Sequence, residues 1–380
     1  MEESTESVAR PTAPRLARTS AVRLLADLVG LVAALGTSVV TARALGVSGK
    51  GALASLLYTA AIASYVCALG LGDAAVVIVG RRKAALSTAV GTTVTALSVS
   101  VALGIVMLWL VAGRELGFDP RTINAVTIMS VAFMPCAVLG SVLVMLLNSQ
   151  ERVVLTSCMV GAGSLSTLVC TLVLVWPAHL GIAGAAAGAA LGSATTGIGL
   201  LVPLRRSGTK LRPTLDRDYL RVALKLGLPI EAAYVLVALA QRADQLVVLH
   251  LMGTHPAGRY SVALTAGQLP LYVPLAIALA GFARLAYLSE SDSMIVLGGM
   301  CRIGTAGALI STLVAAPLLP IAIPVFFGSA FSQAVVPALI LLPGGVLWSL
   351  QWILGRAATA RSQPSLLVQS FGLTLATMVI

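Results

Sequence analysis

The chain has 380 residues, of which 58% are hydrophobic and only 10% are charged, and its net charge is +11. An average soluble domain carries about 25% charged residues, so the composition excludes an ordinary soluble protein. Repeated apolar runs of about twenty residues can each cross roughly 30 Å of hydrocarbon, and they predict an all-α, polytopic helical membrane protein. A transmembrane barrel would show short alternating segments instead. The positive charge falls in short connections between the runs, so nucleic acid is not an expected partner.

Apolar runs and their breakers predict eleven membrane spans. They follow a polar stretch, residues 1–20, that is predicted to be disordered and cytoplasmic. The connections between spans are short, and the largest of them, residues 205–218, is basic and leaves no room for a soluble catalytic domain. The approximate bounds of the spans are 22–45, 52–79, 84–112, 123–148, 153–176, 181–204, 220–252, 259–288, 295–323, 332–355 and 364–380.

Lysine and arginine residues predict the orientation of the chain, because they concentrate in cytoplasmic loops. With the N-terminus inside, most of them lie in inner connections, including Arg81-Arg82-Lys83 and the cluster from Arg205 to Lys225. The predicted outer connections hold only Arg43, Lys50, Arg114, Arg121 and Arg259. We therefore expect a multi-pass protein of the cytoplasmic (inner) cell membrane with a cytoplasmic N-terminus.

The sequence also contains an internal echo. Leu45–Gly51, after span one, and Met252–Gly258, after span seven, both read apolar-Gly-x4-Gly before a helix rich in small residues. Ser149-Gln150 after span four is echoed by Ser362-Gln363 after span ten. Six spans per half return the chain to the same side of the membrane, so these echoes predict parallel repeats related by an axis along the membrane normal.

The repeat defines a predicted domain organisation. It calls for twelve spans, of which the sequence to Ile380 supplies eleven, so the second bundle is expected to contain about five helices. The predicted parts are a disordered cytoplasmic N-terminus (1–20), an N-terminal six-helix bundle (21–204), a basic cytoplasmic linker (205–218) and a C-terminal bundle (219–380).

Span seven is exceptional because it carries several polar residues. An ionisable group near the bilayer centre costs about 2.5–3.5 kcal/mol on insertion scales, and it normally faces a partner or a water-filled cavity. On a helical wheel Glu231, Arg242 and Gln245 share one face, and Asp244 lies with Gln241 on an adjoining face. The pattern predicts a helix that lines a cavity. An internal ion pair of Arg242 with Asp244 or Asp27 remains the alternative.

Three more charged residues lie in or beside the first two spans. Asp27 lies one turn past Arg23, so it either pairs with Arg23 at i,i+4 or meets a cationic group across the halves. Arg43 and Lys50 lie at the predicted outer end of the first hairpin. They either line the cavity or act as interfacial anchors.

Other motifs point away from enzymatic chemistry. No nucleophile elbow, phosphate loop, pair of catalytic carboxylates or metal-ligand spacing is present in the sequence, so we expect neither an enzyme nor a cofactor nor a metal site. The five cysteines lie in or near apolar runs and are interpreted as small core residues. Gly184 and Gly188 form a small-xxx-small face that predicts close helix packing or a sliding surface.

The first hairpin resembles a known family. The run Ala42-Arg43-Ala-Leu45-Gly46-Val-Ser-Gly-Lys-Gly51, followed by Gly70-Leu-Gly72-Asp73, is similar to the start of bacterial polysaccharide flippases of the Wzx type. These belong to the multidrug/oligosaccharidyl-lipid/polysaccharide (MOP) exporter superfamily. In the second half, Lys225-Leu-Gly227-Leu-Pro229, Arg242-x-Asp244 and Gly258-Arg-Tyr260 extend the resemblance, which covers essentially the whole chain.

The resemblance implies two six-helix bundles around a central cavity and movement of an undecaprenyl-pyrophosphate-linked oligosaccharide by alternating access. Its implied partners are the pyrophosphate head group, membrane lipids, a coupling ion and polysaccharide-assembly proteins. A cation-coupled multidrug exporter of the same superfamily and a membrane polysaccharide polymerase or ligase remain alternatives. The residues expected to line the cavity are Arg242, Asp244, Glu231, Gln241, Gln245, Asp27 and Arg43.

Overall fold

The computed structural model describes residues 13–80, 86–116, 120–148, 152–206, 215–272, 274 and 290–360. Within these ranges every regular element is helical, so the predicted all-α, polytopic fold is confirmed. The helices are α1 (Ala13–Ala68), α2 (Leu71–Gly80), α3 (Leu86–Leu116), α4 (Pro120–Ile128), α5 (Met134–Asn148), α6 (Val153–Val175), α7 (Gly181–Arg206), α8 (Arg217–Met252), α9 (Thr254–Gly267), α10 (Glu290–Phe327) and α11 (Val335–Ala360).

Short irregular turns complete these elements. A π-helical turn, Met129–Phe133, joins α4 to α5 into one continuous span. Two 3₁₀ turns, Leu269–Leu271 and Ser329–Ala334, follow α9 and precede α11. Pro270 lies in the first of these turns, and a proline that cannot donate a backbone hydrogen bond explains why α9 ends early.

The predicted spans agree closely with the helices wherever both can be compared. The predicted spans 153–176 and 181–204 correspond to α6 and α7. The described part of the chain holds eight stretches long and apolar enough to cross a membrane, and the first, Leu25–Ile78, covers two predicted spans. The eighth predicted span is α-helical as far as Gly267 and continues through the 3₁₀ turn Leu269–Leu271, and its later part, from residue 275, lies outside the described residues.

Several predictions for connections and ends fall partly outside these ranges. α1 begins at Ala13, inside the stretch predicted to be disordered. The remainder of that stretch, the basic run 81–83, most of the linker (207–214) and the eleventh span (364–380) lie outside the described residues. The proposed bundle boundaries therefore stay predictions.

Spans one and two form one helix that is interrupted at Gly46. This residue has φ 69° and ψ −175°, a conformation that only glycine adopts readily. Gly253, the predicted counterpart of Gly46, has φ 87° and ψ −175° and separates α8 from α9. The two halves of the predicted repeat therefore turn at equivalent glycines with nearly the same backbone geometry.

We call the two segments of α1 that meet at Gly46 the first hairpin, and α8 with α9 the second hairpin. The two hairpins cross each other where Gly51 contacts Gly258. A Cβ built on Gly51 would overlap the carbonyl oxygen of Thr254 and lie 2.6 Å from the backbone nitrogen of Gly258. A Cβ built on Gly258 would overlap the carbonyl oxygen of Val47. Val47 and Gly51 stand at the same sequence offset from Thr254 and Gly258, so the contact is reciprocal. This exchange is the geometry that a parallel repeat with a twofold axis between the hairpins requires.

A second backbone contact joins the predicted halves just after the C-terminal end of α1. The predicted orientation places this end on the cytoplasmic side. Gly70 lies between α1 and α2 with φ 64°, and its backbone touches Gly227 of α8. A Cβ on Gly227 would come within 2.5 Å of the Gly70 carbonyl oxygen. The predicted halves therefore meet at both ends of the second segment of α1, at Gly51 and just beyond its end at Gly70. Each contact is made by glycine backbone without an intervening side chain.

Glycine also sets the packing of α6 against α7. Gly184, Gly188 and Gly192 lie on one face of α7, and a Cβ on any of them would collide with α6. The contacted atoms include the carbonyl oxygen of Leu174 and the side chain of Thr171. Since both helices belong to the same predicted bundle, this face serves close packing within a bundle.

Candidate functional site

Arg242 lies in the second half of α8, where this helix packs against α1 and α9. Its guanidinium carbon lies 4.6 Å from the ring centroid of Tyr58 on α1, within the range of a cation–π contact. With the side-chain amide of Gln268 oriented so that its oxygen faces the guanidinium, that oxygen accepts hydrogen bonds of 2.8 and 3.2 Å from Arg242. Neutral groups therefore hold the half-buried cation.

Asp244 is bonded to α9 rather than to Arg242. Its Oδ2 accepts a 2.7 Å hydrogen bond from the hydroxyl of Tyr260, and its Oδ1 accepts one from the backbone N–H of Gln245. Residues two apart on a helix point in different directions, which explains why Asp244 turns towards Tyr260. The hypothesis of a structural Arg242–Asp244 pair has no hydrogen-bonded counterpart among the described side chains.

Gln245 links three helices at the same level. It is fully buried, and its Nε2 donates a 2.9 Å hydrogen bond to the carbonyl oxygen of Ala257, with Ser55 Oγ at 3.5 Å. Gln241 is half-buried one turn earlier on α8. The structure therefore brings Arg242, Asp244, Gln241 and Gln245 together where α8 meets α1 and α9.

Aromatic side chains continue this site along α1 and α8. Tyr65 of α1 stacks on Tyr234 of α8 with ring centroids 6.5 Å apart and an interplanar angle of 29°. Both tyrosines are exposed, and Tyr65 lies seven residues from Tyr58, on the same face of α1. The two helices run antiparallel, so Tyr58 meets Arg242 and Tyr65 meets Tyr234. We call Tyr58, Tyr65, Tyr234 and Arg242 the tyrosine–arginine strip.

Glu231 lies at the opposite end of this strip from Arg242, about one helical turn before Tyr234. It is buried, and its Oε2 accepts a 2.8 Å hydrogen bond from the backbone N–H of Gly70, at the start of α2. Eleven residues of helix separate it from Arg242, which corresponds to about 16 Å along the axis. A carboxylate at a helix N-terminus is electrostatically favourable, so Glu231 acts here as a link between α8 and α2.

Arg43 and Asp27 both lie on α1, and Arg43 contacts the end of α10. The Nε of Arg43 donates a 2.8 Å hydrogen bond to the Phe326 carbonyl oxygen, and its Nη2 bonds to that of Val325. These carbonyls end α10, where a cation complements the helix dipole. Asp27 has an exposed side chain near the start of α1, and the side chain of Arg23 lies outside the described residues.

Several site residues gave only weak signals in the sequence. Tyr58 and Tyr65 share a helical face, which a search for spaced aromatics would have found. Gln268 and Tyr260 contact Arg242 and Asp244 of α8, and no helical spacing in the sequence links them to these partners. Among the described residues, no group of three potential metal ligands comes together.

Comparison with known proteins places the chain in a family. A family model described as "Polysaccharide biosynthesis protein" matches residues 16–282. Because this match covers more than half of the sequence, the chain belongs to the polysaccharide biosynthesis protein family. No curated protein sequence matches it significantly.

Solved structures show the same fold at low sequence identity. The lipid II flippase MurJ, in an inward closed conformation, superposes with a TM-score of 0.74 at 13% identity, over 91% of this chain and 77% of that one. A multidrug resistance MATE family transporter of the MOP superfamily, in an inward-facing conformation, gives 0.66 at 15% identity, over 94% and 87%. A structure of a multidrug resistance MATE family transporter in an outward-facing conformation gives a TM-score of 0.63 at 14% identity, over 95% of this chain and 84% of that one. The expected membership of a polysaccharide family is therefore confirmed by the family model, and the solved structures show that the chain shares the fold of these transporters.

Proposed function

We propose that this protein flips an undecaprenyl-pyrophosphate-linked oligosaccharide across the cytoplasmic membrane for surface polysaccharide biosynthesis. Membership of the polysaccharide biosynthesis protein family supports the cargo class, and the MurJ-like fold supports the flipping of a lipid-linked substrate. The observation that carries the proposal is Arg242, a cation in the predicted membrane interior whose ring contact and hydrogen bonds among the described residues are with the neutral groups Tyr58 and Gln268.

The tyrosine–arginine strip has the chemistry that this cargo needs. A guanidinium binds two phosphate oxygens at once through parallel hydrogen bonds, and the Gln268 amide and the Tyr58 ring leave the net charge of Arg242 available. The exposed faces of Tyr65 and Tyr234 offer flat apolar surfaces for sugar rings. In this proposal the pyrophosphate binds Arg242 while the lipid tail stays in the bilayer.

The glycine contacts at the two ends of the span supply a mechanism for alternating access. Gly51 and Gly258 close the predicted outer end, and Gly70 and Gly227 close the predicted inner end. Each contact is backbone against backbone, so it can separate without unpacking side chains. Parting one contact while the other holds would expose the strip to one side of the membrane at a time.

A second candidate is a cation-coupled multidrug exporter. Asp244 favours it, because this carboxylate is bonded to the neutral Tyr260 rather than to a cation and is able to receive a coupling ion or a cationic drug. The same group serves the flippase proposal as a site for a coupling ion. The two functions differ in which residue is indispensable, Arg242 for an anionic cargo and Asp244 for a cationic one.

The experiment compares six genotypes in the native host: wild type, Arg242→Ala, Arg242→Lys, Asp244→Ala, the Arg242→Ala/Asp244→Ala double variant and the control Thr127→Val. Export of surface polymer and abundance of the protein in the membrane are measured for each. Since Arg242 and Asp244 make their direct contacts with neutral partners, each truncation leaves the hydrogen bonds of the other residue in place, and normal abundance is expected throughout. Arg242→Ala and the double variant should lose export, and Arg242→Lys should recover only part of it, because an ammonium lacks the planar fork.

Two results would decide against the proposal. Full export by an abundant double variant would exclude direct cargo binding by Arg242. Normal export by Arg242→Ala, combined with loss of cationic-drug resistance in Asp244→Ala, would favour the exporter. A Thr127→Val variant, on an exposed part of α4 outside the site, serves as the control for expression and insertion.

A further inference from the structure

A cavity of about 270 Å³, lined by many hydroxyl-bearing side chains, lies beside the tyrosine–arginine strip. It is bounded by both segments of α1, by α6 and α7, and by α9. Half of its sixteen lining residues are serine or threonine, and Tyr58, which touches Arg242, lines it as well. A cavity this rich in hydroxyls, within a chain of this hydrophobicity, is built for a polar occupant.

Among the described residues that line the cavity, Lys50 is the only charged one. It is 8% exposed, so the sequence-based interpretation of an interfacial anchor does not describe it. Its Nζ donates hydrogen bonds of 2.9 Å to Thr41 Oγ1 and 3.1 Å to Ser38 Oγ. These neutral hydroxyls satisfy two of the three ammonium protons but leave the buried charge uncompensated, and such a charge normally requires an opposite one.

Two further features around Lys50 favour the binding of an anion in the cavity. Lys50 lies in the first turn after the break at Gly46, where the helix dipole adds positive potential instead of offsetting the ammonium. Thr171 lines the same cavity from α6, is fully buried, and its hydroxyl has no hydrogen-bond partner. A buried, unpartnered hydroxyl is costly unless a ligand engages it.

We infer that this cavity, which we call the Lys50 cavity, binds an oxyanion of the transported glycan, with Lys50 as its counter-ion and Thr171 as a hydrogen-bond partner. The inference rests on the proposed function. The volume lies near the lower limit of ligand pockets, roughly 300–1,000 Å³, which suits one group rather than an oligosaccharide. The oxyanion comes either from the carboxylate of an acidic sugar or from a phosphate.

Because the Lys50 cavity lies next to Arg242, it can contribute to the choice of substrate. Tyr58 is shared, with its ring beneath the guanidinium and its side chain lining the cavity. A glycan whose pyrophosphate lies at Arg242 can therefore place an adjoining group in the Lys50 cavity. A cargo with an acidic group near its lipid carrier would satisfy both cations, whereas a neutral glycan would leave Lys50 unpaired.

The test measures ligand-induced thermal stabilisation of the full-length purified protein, since a ligand that binds only the folded state raises its unfolding temperature. The probes are sodium glucuronate, inorganic pyrophosphate and neutral glucose, at equal ionic strength. The variants are Lys50→Met, which keeps the length and removes the charge, and Thr171→Val, which keeps the shape and removes the hydroxyl. Thr127→Val is the matched control, because Thr127 lies outside the cavity and bonds to its own helix.

We expect glucuronate or pyrophosphate, but not glucose, to raise the unfolding temperature of the wild type and of Thr127→Val. Both cavity variants should lose at least ten-fold in apparent affinity for that probe. Thr171→Val should fold at least as stably as the wild type, because the removed hydroxyl has no partner, so its loss of response cannot come from misfolding. Whichever probe depends on Lys50 identifies the source of the oxyanion.

The inference is overturned if glucose stabilises the protein as strongly as glucuronate does. It is also overturned if the response to both anions is unchanged in Thr171→Val and Lys50→Met. Export by Arg242→Ala is a separate readout. If Arg242→Ala loses export but no probe binds in a Lys50-dependent way, anion binding in the Lys50 cavity is rejected while the flippase proposal is retained.

Discussion

The crossing of the two hairpins at Gly51 offers a sharp prediction. In Gly51→Ala the new Cβ would overlap the Thr254 carbonyl oxygen and lie 2.6 Å from the Gly258 nitrogen. Backbone atoms cannot rotate away, so that 2.6 Å separation must widen to at least 3.4 Å, and the overlap requires more. Overpacking of this kind costs about 1–3 kcal/mol.

The overpacking caused by Gly51→Ala destabilises only the state in which the predicted outer end is closed. Once the halves part there, the alanine meets no backbone, so the full penalty shifts the equilibrium towards the open outer end. A bias of about 1–3 kcal/mol corresponds to a 5–150-fold change in the ratio of the two states. Gly344→Ala is the matched control, because a Cβ on this helical glycine meets nothing within 4 Å.

Accessibility of a buried reporter measures the shift. Ala257 is fully buried beside the crossing, so Ala257→Cys is introduced into a variant in which all five native cysteines have been replaced. Intact cells are then treated with a thiol reagent that does not cross membranes. We expect labelling to be at least five-fold faster with Gly51→Ala than with Gly344→Ala. Equal rates in an abundant, correctly inserted Gly51→Ala variant would refute the account of the outer contact.

Two further predictions complete this account of the fold. Gly227→Ala should open the opposite end, because its Cβ would come within 2.5 Å of the Gly70 carbonyl oxygen; it should therefore slow labelling of Ala257→Cys from outside, and faster labelling would contradict the assigned sides. The positive charge of the connection after α7 predicts that it is cytoplasmic; Ser207→Cys should label only in permeabilised cells, and strong labelling in intact cells would overturn the orientation.

Features local in sequence were predictable. Each span needs about twenty apolar residues, so α6 and α7 agree with their predicted bounds to within two residues. The paired breaks at Gly46 and Gly253 were visible as an echo because a positive φ favours glycine. The polar residues of α8 also indicated that this helix faces a polar site, and they lie where α8 packs against α1 and α9.

Contacts between distant helices were not predictable from one helix at a time. A helical wheel ignores distance along the axis, so it grouped Glu231 with Arg242, although about 16 Å of helix separates them. Glu231 binds Gly70, and Arg242 binds Tyr58 and Gln268. The sequence places Lys50 just after a predicted span end and so favours an interfacial position, whereas in the fold its ammonium is hydrogen-bonded to Ser38 and Thr41.

The most direct test of the central claim is flipping by the purified protein in liposomes. A polyprenyl-pyrophosphate-linked oligosaccharide is placed in both leaflets, and its accessibility to an external sugar-modifying enzyme is followed with and without an imposed membrane potential. Wild-type protein should expose the inner-leaflet pool well above the rate of protein-free liposomes, and Arg242→Ala should fall to that background rate. Background-level exposure by wild-type protein that moves a cationic dye in the same liposomes would contradict the flippase and support the exporter.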